Sequence, residues 1–274
     1  MKHEGILLNP QQERLTNICY ADDILLFSHD LPDLKRIMKL VQQELLTIGL
    51  EFNMGKTKIM TTTSHNTSDV DFYGERVEIV CGQDVHTYLG RKFPGNLEER
   101  GEVAVDHRIQ LAWMKYNHRR NALQNQHVSV KLRLKLFAAV VTPTLLYGLA
   151  SVPVGVALLQ KVDVVQRKML RNIVGWVRQA TEPWEDTMRR MKQRVEDATA
   201  HHPIQPWSEA IVEKKQILNT RIILKPASHW SRLAADWQPK LVGAWPAGRK
   251  VGRPKLRWDS AISKDFRAFE TEVT

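Results

Sequence analysis

A chain of 274 residues with 43% hydrophobic and 26% charged side chains has the balance of a soluble globular protein, with material for one large or two small cores. No apolar run approaches the ~20 residues needed to span a bilayer, and Met1-Lys2-His3-Glu4-Gly5 lacks a signal peptide's apolar core, so no membrane partner is expected. The formal charge of +10 and pI near 9.6 point instead to a polyanionic partner. Two cysteines, Cys19 and Cys81, make neither a disulfide framework nor a four-ligand zinc site, and no Cys-x-x-Cys pair occurs. A reducing intracellular setting follows, with nucleus and cytoplasm not distinguished.

In chain order, Met1 to Asn17 is short and polar, the edge of a sheet. The apolar, β-prone runs Ile18-Cys19-Tyr20 and Ile24-Leu25-Leu26-Phe27 then meet at Asp22-Asp23, which predicts a buried hairpin with two carboxylates at its tip. Like charges side by side are unfavourable unless water or a cation is at hand, and hard divalent ions take carboxylate oxygens together with substrate phosphates. An ordinary solvated Asp-Asp turn has the same local signature. Leu31-Pro32-Asp33 opens a helix, where proline's missing N–H does no harm. Leu34, Ile37, Met38, Val41, Leu45 and Ile48 recur at helical spacing, and Gly49 closes it. A strand over Lys58–Thr62 and a strand set over Asp71–Phe93 complete this part.

Pro94-Gly95-Asn96 marks a boundary, after which helices follow. Over Glu102–Leu123, Ile109, Ala112, Trp113, Tyr116 and Leu123 share one arc, while Arg108, Lys115 and Arg119 form a separate stripe. Trp113 and Tyr116 read as core packing rather than base stacking. A second helix over Val130–Val141 is expected to stop before Pro143. A third, through Leu158, Val162, Val165, Met169 and Ile173, carries Arg167, Lys168 and Arg171. No Asp or Glu occurs from His107 to Val162, a stretch that includes Lys131, Arg133, Lys135 and Lys161 and reads as a phosphate-facing surface. Beyond Thr181, Met188–Ala198 and Ser208–Leu218 look helical, but scattered tryptophans among prolines and charges yield no fold.

The order Tyr20-Ala21-Asp22-Asp23-Ile24, a helix, Gly49-Leu50-Glu51-Phe52-Asn53-Met54-Gly55-Lys56-Thr57-Lys58, then Tyr88-Leu89-Gly90 resembles the C-terminal part of reverse transcriptases of non-LTR (LINE-type) retrotransposons. The resemblance is clearest from Gly5 to Phe93, and Gly5-Ile6-Leu7-Leu8 with Arg14-Leu15-Thr16-Asn17 is similar to that family's lead-in. It implies an α+β fold: a truncated palm of antiparallel hairpins and a helix over 1–93, a helical thumb-like region over 94–180, and a basic Trp/Pro-containing region over 181–274.

The resemblance also implies a chemistry, RNA-directed DNA polymerisation by two-metal nucleotidyl transfer with Mg²⁺ or Mn²⁺. Asp22 would be a metal ligand with Asp23 in a weaker or supporting role, and Lys56 would lie near the leaving pyrophosphate, with Lys58 as its rival. Tyr20 and Ala21 would set the approach to the primer end, and Tyr88, Leu89 and Gly90 would grip it. Arg108, Lys115, Arg119, Lys131, Arg133 and Lys135 would hold the primer–template. RNA, DNA and deoxynucleoside triphosphates are the implied partners, the last only if the rest of the site is supplied. The family's site needs a further Asp from an earlier strand and a Gly-rich segment, whereas only Glu4 and Glu13 precede the hairpin. The chain alone is therefore expected to be inactive, a truncated element or one piece of a longer protein. Near the end, Arg249, Lys250, Arg253, Lys255 and Arg257 surround Gly252-Arg253-Pro254, similar to part of an AT-hook that lies in a minor groove, or else a basic loop packed by Trp258. Two further readings are a non-catalytic nucleic-acid-binding module and a decayed product whose exposed hairpin edge favours aggregation.

Overall fold

The computed structural model describes residues 5–8, 14–61, 69–72, 74–80, 84–96, 98–200 and 202–236. Cys81 and the five tail cations Arg249, Lys250, Arg253, Lys255 and Arg257 lie outside the described residues. The chain is α+β, as expected, and divides into two compact units, 1–82 with 220–253 and 83–219 with 254–274.

In the first unit, strands β1 (Asn17–Tyr20) and β2 (Asp23–Leu26) pair antiparallel, with Tyr20 opposite Asp23. Helix α1 (Leu31–Thr47) starts where Asp30 accepts the Asp33 N–H at 2.8 Å, with a proline in its first turn. It ends at Gly49, whose φ of +75° suits a residue without Cβ. Strands β3 (Lys58–Met60), β4 (Asp69–Phe72) and β5 (Glu75–Val80) form a three-stranded sheet in the order β3-β5-β4. β4 takes one edge of β5 antiparallel, which leaves the other edge for β3, and that pairing is parallel where hairpins alone were expected. Met38, Ile59, Phe72, Val77 and Ile79 form the buried core, with Leu26 and Leu34 packed against it.

The first hairpin is not buried as expected. All four residues of β1 are exposed, including Tyr20 at 65%. Only the face of β2 carrying Ile24 and Leu26 turns inward.

The second unit opens with β6 (Val85–Tyr88) and β7 (Arg91–Pro94), an antiparallel pair. It continues with α2 (Arg100–His118), α3 (Arg120–Leu123), α4 (Val130–Leu146), a 3-10 turn at Leu149–Ser151, α5 (Val156–Val174), α6 (Trp184–Ala200) and α7 (Trp207–Ile223), whose last residues from Thr220 on belong to the first unit. Helix α8 (Trp230–Asp236) follows in the first unit, where Arg232 donates to the Ile223 carbonyl at 2.6 Å.

Helix α4 does not stop before Pro143 but runs through it to Leu146. Leu145 and Leu146 on the far side are buried in the core, a gain that outweighs the ~3 kcal/mol cost of an interior proline. The continuous stretch Val130–Ser151 is long and apolar enough, by length and composition, to cross a membrane, unlike any run expected from the sequence. In the fold, Leu134, Phe137, Val141 and Leu145 lie in the core with residues of α2 and α5.

Trp207 centres this core. It is fully buried and stacks on Phe137 at 5.7 Å, while its indole N–H donates to the Thr142 hydroxyl at 3.0 Å. Gln166 accepts the Trp207 N–H at 3.0 Å, and Asp163 accepts the Ser208 N–H and hydroxyl at 2.9 and 2.6 Å. A carboxylate at the start of α7 also meets the positive end of its dipole. The residues from 184 to 219, which yielded no fold from sequence, therefore complete the helical unit. Truncating Trp207 to Ala is expected to destabilise this unit by about 3–5 kcal/mol through the cavity and the orphaned Thr142 hydroxyl, read as a shift in the denaturant midpoint.

Candidate functional site

Asp22 and Asp23 sit at a tight two-strand corner. Ala21 and Asp22 form the turn, and Ala21 has φ of +52°, a left-handed conformation without glycine that costs on the order of 1 kcal/mol. Alternation along the strands puts Asp23 on the same face as Ile18, Tyr20 and Leu25, and both carboxylates are exposed. Among the described residues no three His, Cys, Asp or Glu side chains gather into a metal-holding group. Two turn carboxylates are a partial ligand set for a hard cation and do not fit a two-ion centre.

The segment after α1 folds into a turn held by Asn53. Its side-chain oxygen accepts the Lys56 N–H at 3.2 Å, and its carbonyl accepts the Thr57 hydroxyl at 2.9 Å. That arrangement sets the Asn53-x-x-Lys56-Thr57 spacing and leaves Lys56 exposed. Its rival Lys58 is engaged in an ion pair with Glu78 across the parallel strands β3 and β5.

The Tyr88-Leu89-Gly90 turn belongs to the second unit and is fastened to its helices. Leu89 and Gly90 both take positive φ, +48° and +69°. The Leu89 carbonyl accepts the Tyr147 hydroxyl at 3.1 Å, and the Gly90 carbonyl accepts the Arg108 guanidinium. Arg108 also lies 4.6 Å from the centre of the Tyr147 ring, a cation–π contact. On the following strand Arg91 donates to the Ser151 hydroxyl at 2.8 Å and passes so close to Gly148 that a Cβ there would meet its side chain at 2.9 Å. Gly148 also has φ of +74°, a conformation that side-chain-bearing residues rarely adopt, so glycine is favoured there. Tyr147, Gly148 and Ser151 are neighbours of this turn that no local sequence signal marks, since their partners stand about sixty residues away.

The cations expected to face phosphate divide into two groups. Lys115, Arg119, Lys131 and Lys135 are exposed. Arg108 and Arg133 are buried at 6% exposure each and are removed from that surface. Arg133 donates to the Ile173 carbonyl and, at 3.0 Å, to the Val128 carbonyl. Lys161 pairs with Asp106 at 2.5 Å. Burial pushes the guanidinium pKa of Arg91, Arg108 and Arg133 below its ordinary value, against an opposing electrostatic pull from a tyrosine hydroxyl, Tyr147 for the first two and Tyr116 for the third. His107, beside Arg108, is held below its ordinary 6.5 by burial first, then by the charges of Arg108 and Lys92. Its Nδ1 is buried with no hydrogen-bond partner among the described residues.

Residues 5–93 match the family model described as reverse transcriptase (RNA-dependent DNA polymerase). Over 254 residues the chain is 26% identical to an uncharacterized transposon-derived protein of Caenorhabditis elegans, a match covering 92% of this chain and 85% of that protein. No solved structure matches it significantly. Residues 5–93 are thus similar to reverse transcriptases, and the chain has a transposon-derived relative.

Removing the Tyr147 hydroxyl by Tyr147→Phe is expected to cost about 0.5–1.5 kcal/mol of stability in the second unit, measured by chemical denaturation. Because folded His107 binds its proton less readily than the unfolded chain, its contribution is complete above pH 6.5 and is lost as pH falls below that value. Denaturation midpoints should therefore drop on acidification, and His107→Gln should reduce that dependence.

Proposed function

We propose that residues 5–93 are the Asp-Asp-bearing portion of a non-LTR (LINE-type) retrotransposon reverse transcriptase and that the helical unit engages the RNA and DNA on which such an enzyme works. The observation that carries this reading is the Asp22-Asp23 corner, followed in family order by α1 and by the Asn53-held turn that presents Lys56. Asp22 and Asp23 are the residues that would hold Mg²⁺ or Mn²⁺, ions that activate and neutralise reacting oxygens when bound. Lys56 supplies an ammonium suited to charge developing on a leaving phosphate.

Two carboxylates do not complete a two-ion centre, so these 274 residues are assigned no polymerisation of their own. The exposed face of Ile18, Tyr20 and Leu25 beside Asp23 supports a site finished by further palm surface, supplied in the same chain or in trans. Deoxynucleoside triphosphates are substrates only of that completed site.

The test is extension of a primed RNA or DNA template. The polypeptide alone with Mg²⁺ is expected to give no product. Adding a polypeptide that carries the preceding palm strand with its Asp should yield extension that Asp22→Asn abolishes. Extension by the 274 residues alone would overturn the assignment.

A second reading, a non-catalytic nucleic-acid-binding protein, is favoured by Lys115, Arg119, Lys131 and Lys135, which are exposed in the stretch lacking any acid from His107 to Val162. It expects duplex binding that weakens with salt at a log–log slope of about −0.9 per phosphate neutralised. Lys131→Gln should make that slope shallower, while Asp22→Asn leaves it unchanged.

A further inference from the structure

The helical unit also contains an open cleft of about 680 Å³ between α2, α3 and the end of α5. That volume lies in the range of small-ligand pockets, roughly 300–1,000 Å³. Its lining is chemically uneven in an informative way.

Three aromatic side chains contribute to it. Tyr116 is buried, meets Trp113 edge-on at 5.5 Å, and accepts a hydrogen bond on its hydroxyl from Gln124 at 3.0 Å, so it belongs to the wall. Trp113 is half-buried and has the Lys168 ammonium 5.8 Å from its ring centre. Trp176 differs from both, being 37% exposed on the segment that follows α5. Its ring meets Trp184 at 5.8 Å, tilted by 54°, and its remaining exposed surface lines the cleft, where a planar group can pack on it.

Two cations, Arg120 and Lys168, line the same cleft, and both are exposed. Lys168 has no carboxylate partner among the described residues. None of the ten lining residues is acidic. The remaining polar groups are amides, with Asn117 and Gln126 exposed and Asn172 half-buried. Amides offer a donor and an acceptor together, as a base edge requires.

A stacking indole, unopposed cations and free amides are the three recognition chemistries of a nucleotide. We propose that this cleft binds an unpaired nucleotide of a single-stranded nucleic acid, with the base stacked on Trp176 and the backbone phosphate on Lys168 and Arg120. A duplex does not fit these groups, because its base faces are already stacked on one another and only its phosphates are offered. The assignment does not need the polymerase reading, since it uses neither the Asp-Asp corner nor the 88–90 turn.

The test uses the full chain and fluorescence anisotropy with a labelled single strand of about 12 nucleotides, the same strand made abasic, and a blunt duplex. The abasic strand keeps every phosphate and loses every base, so the comparison subtracts all electrostatic binding elsewhere on this basic protein. Wild type is expected to prefer the strand with bases. Trp176→Ala should weaken binding to that strand about 5-fold or more while leaving the abasic strand unchanged. Trp176→Phe, which keeps an aromatic face, should restore the preference and stands in if the alanine variant fails to fold. Lys168→Gln should weaken both strands and make the salt slope shallower by about 0.7. A wild-type protein indifferent to the bases, or a Trp176→Ala variant that loses both strands equally, would overturn the proposal. Displacement of the strand by AMP at equal nucleotide concentration would reassign the cleft to a free nucleotide and would equally overturn it.

Discussion

The helical unit depends on cations turned inward and answered by main-chain carbonyls. A buried cation is costly unless every donor finds an acceptor, and the last carbonyls of a helix lack partners within it. Each problem solves the other at the end of α5, where buried Arg133 donates to the Ile173 carbonyl, and the exposed Arg194 adds a bond to the Val174 carbonyl at 2.9 Å. Those carbonyls are also the negative end of the helix dipole, which strengthens the contact. Lys215, wholly buried on α7, does the same at the 3-10 turn, donating to Val152 and Ala150 at 2.5 and 3.3 Å. A guanidinium with fixed fork geometry and a single ammonium are not exchangeable in these seats.

This use of charge changes what the basic composition means. The excess of positive side chains is partly structural, because Arg108, Arg133 and Lys215 serve carbonyls in the interior. What remains outward is spread over several helices and includes Lys115, Arg120, Lys131, Lys135, Arg167 and Lys168. Net charge is therefore a weaker guide to an interface than the list of cations that keep water on their head groups.

Local features of the sequence translated well and distant ones did not. The start and end of α1 were legible because Pro32 and Gly49 act within one turn of themselves, and the structure adds Asp30 as the cap. The Asp-Asp corner was legible because a two-residue bend between β-prone runs is a short-range event. Its burial was not, since exposure depends on what else covers the strands. Pro143 misled because propensity is a small term beside the burial of Leu145 and Leu146. The roles of Arg108 and Tyr147 were hidden for another reason, that a buried arginine and an exposed one look identical in a string of letters. Trp207 was invisible as a core residue because its partners Phe137, Thr142 and Gln166 come from two other helices.

The fastening of the 88–90 bend to α2 and to the residue after α4 has a mechanical corollary. Two carbonyls of consecutive residues are seized from different helices, and the adjoining strand is pinned at Ser151. The hairpin tip is thus geared to the helices. Any swing of that bundle carries the tip through the same arc, as a pawl follows its wheel.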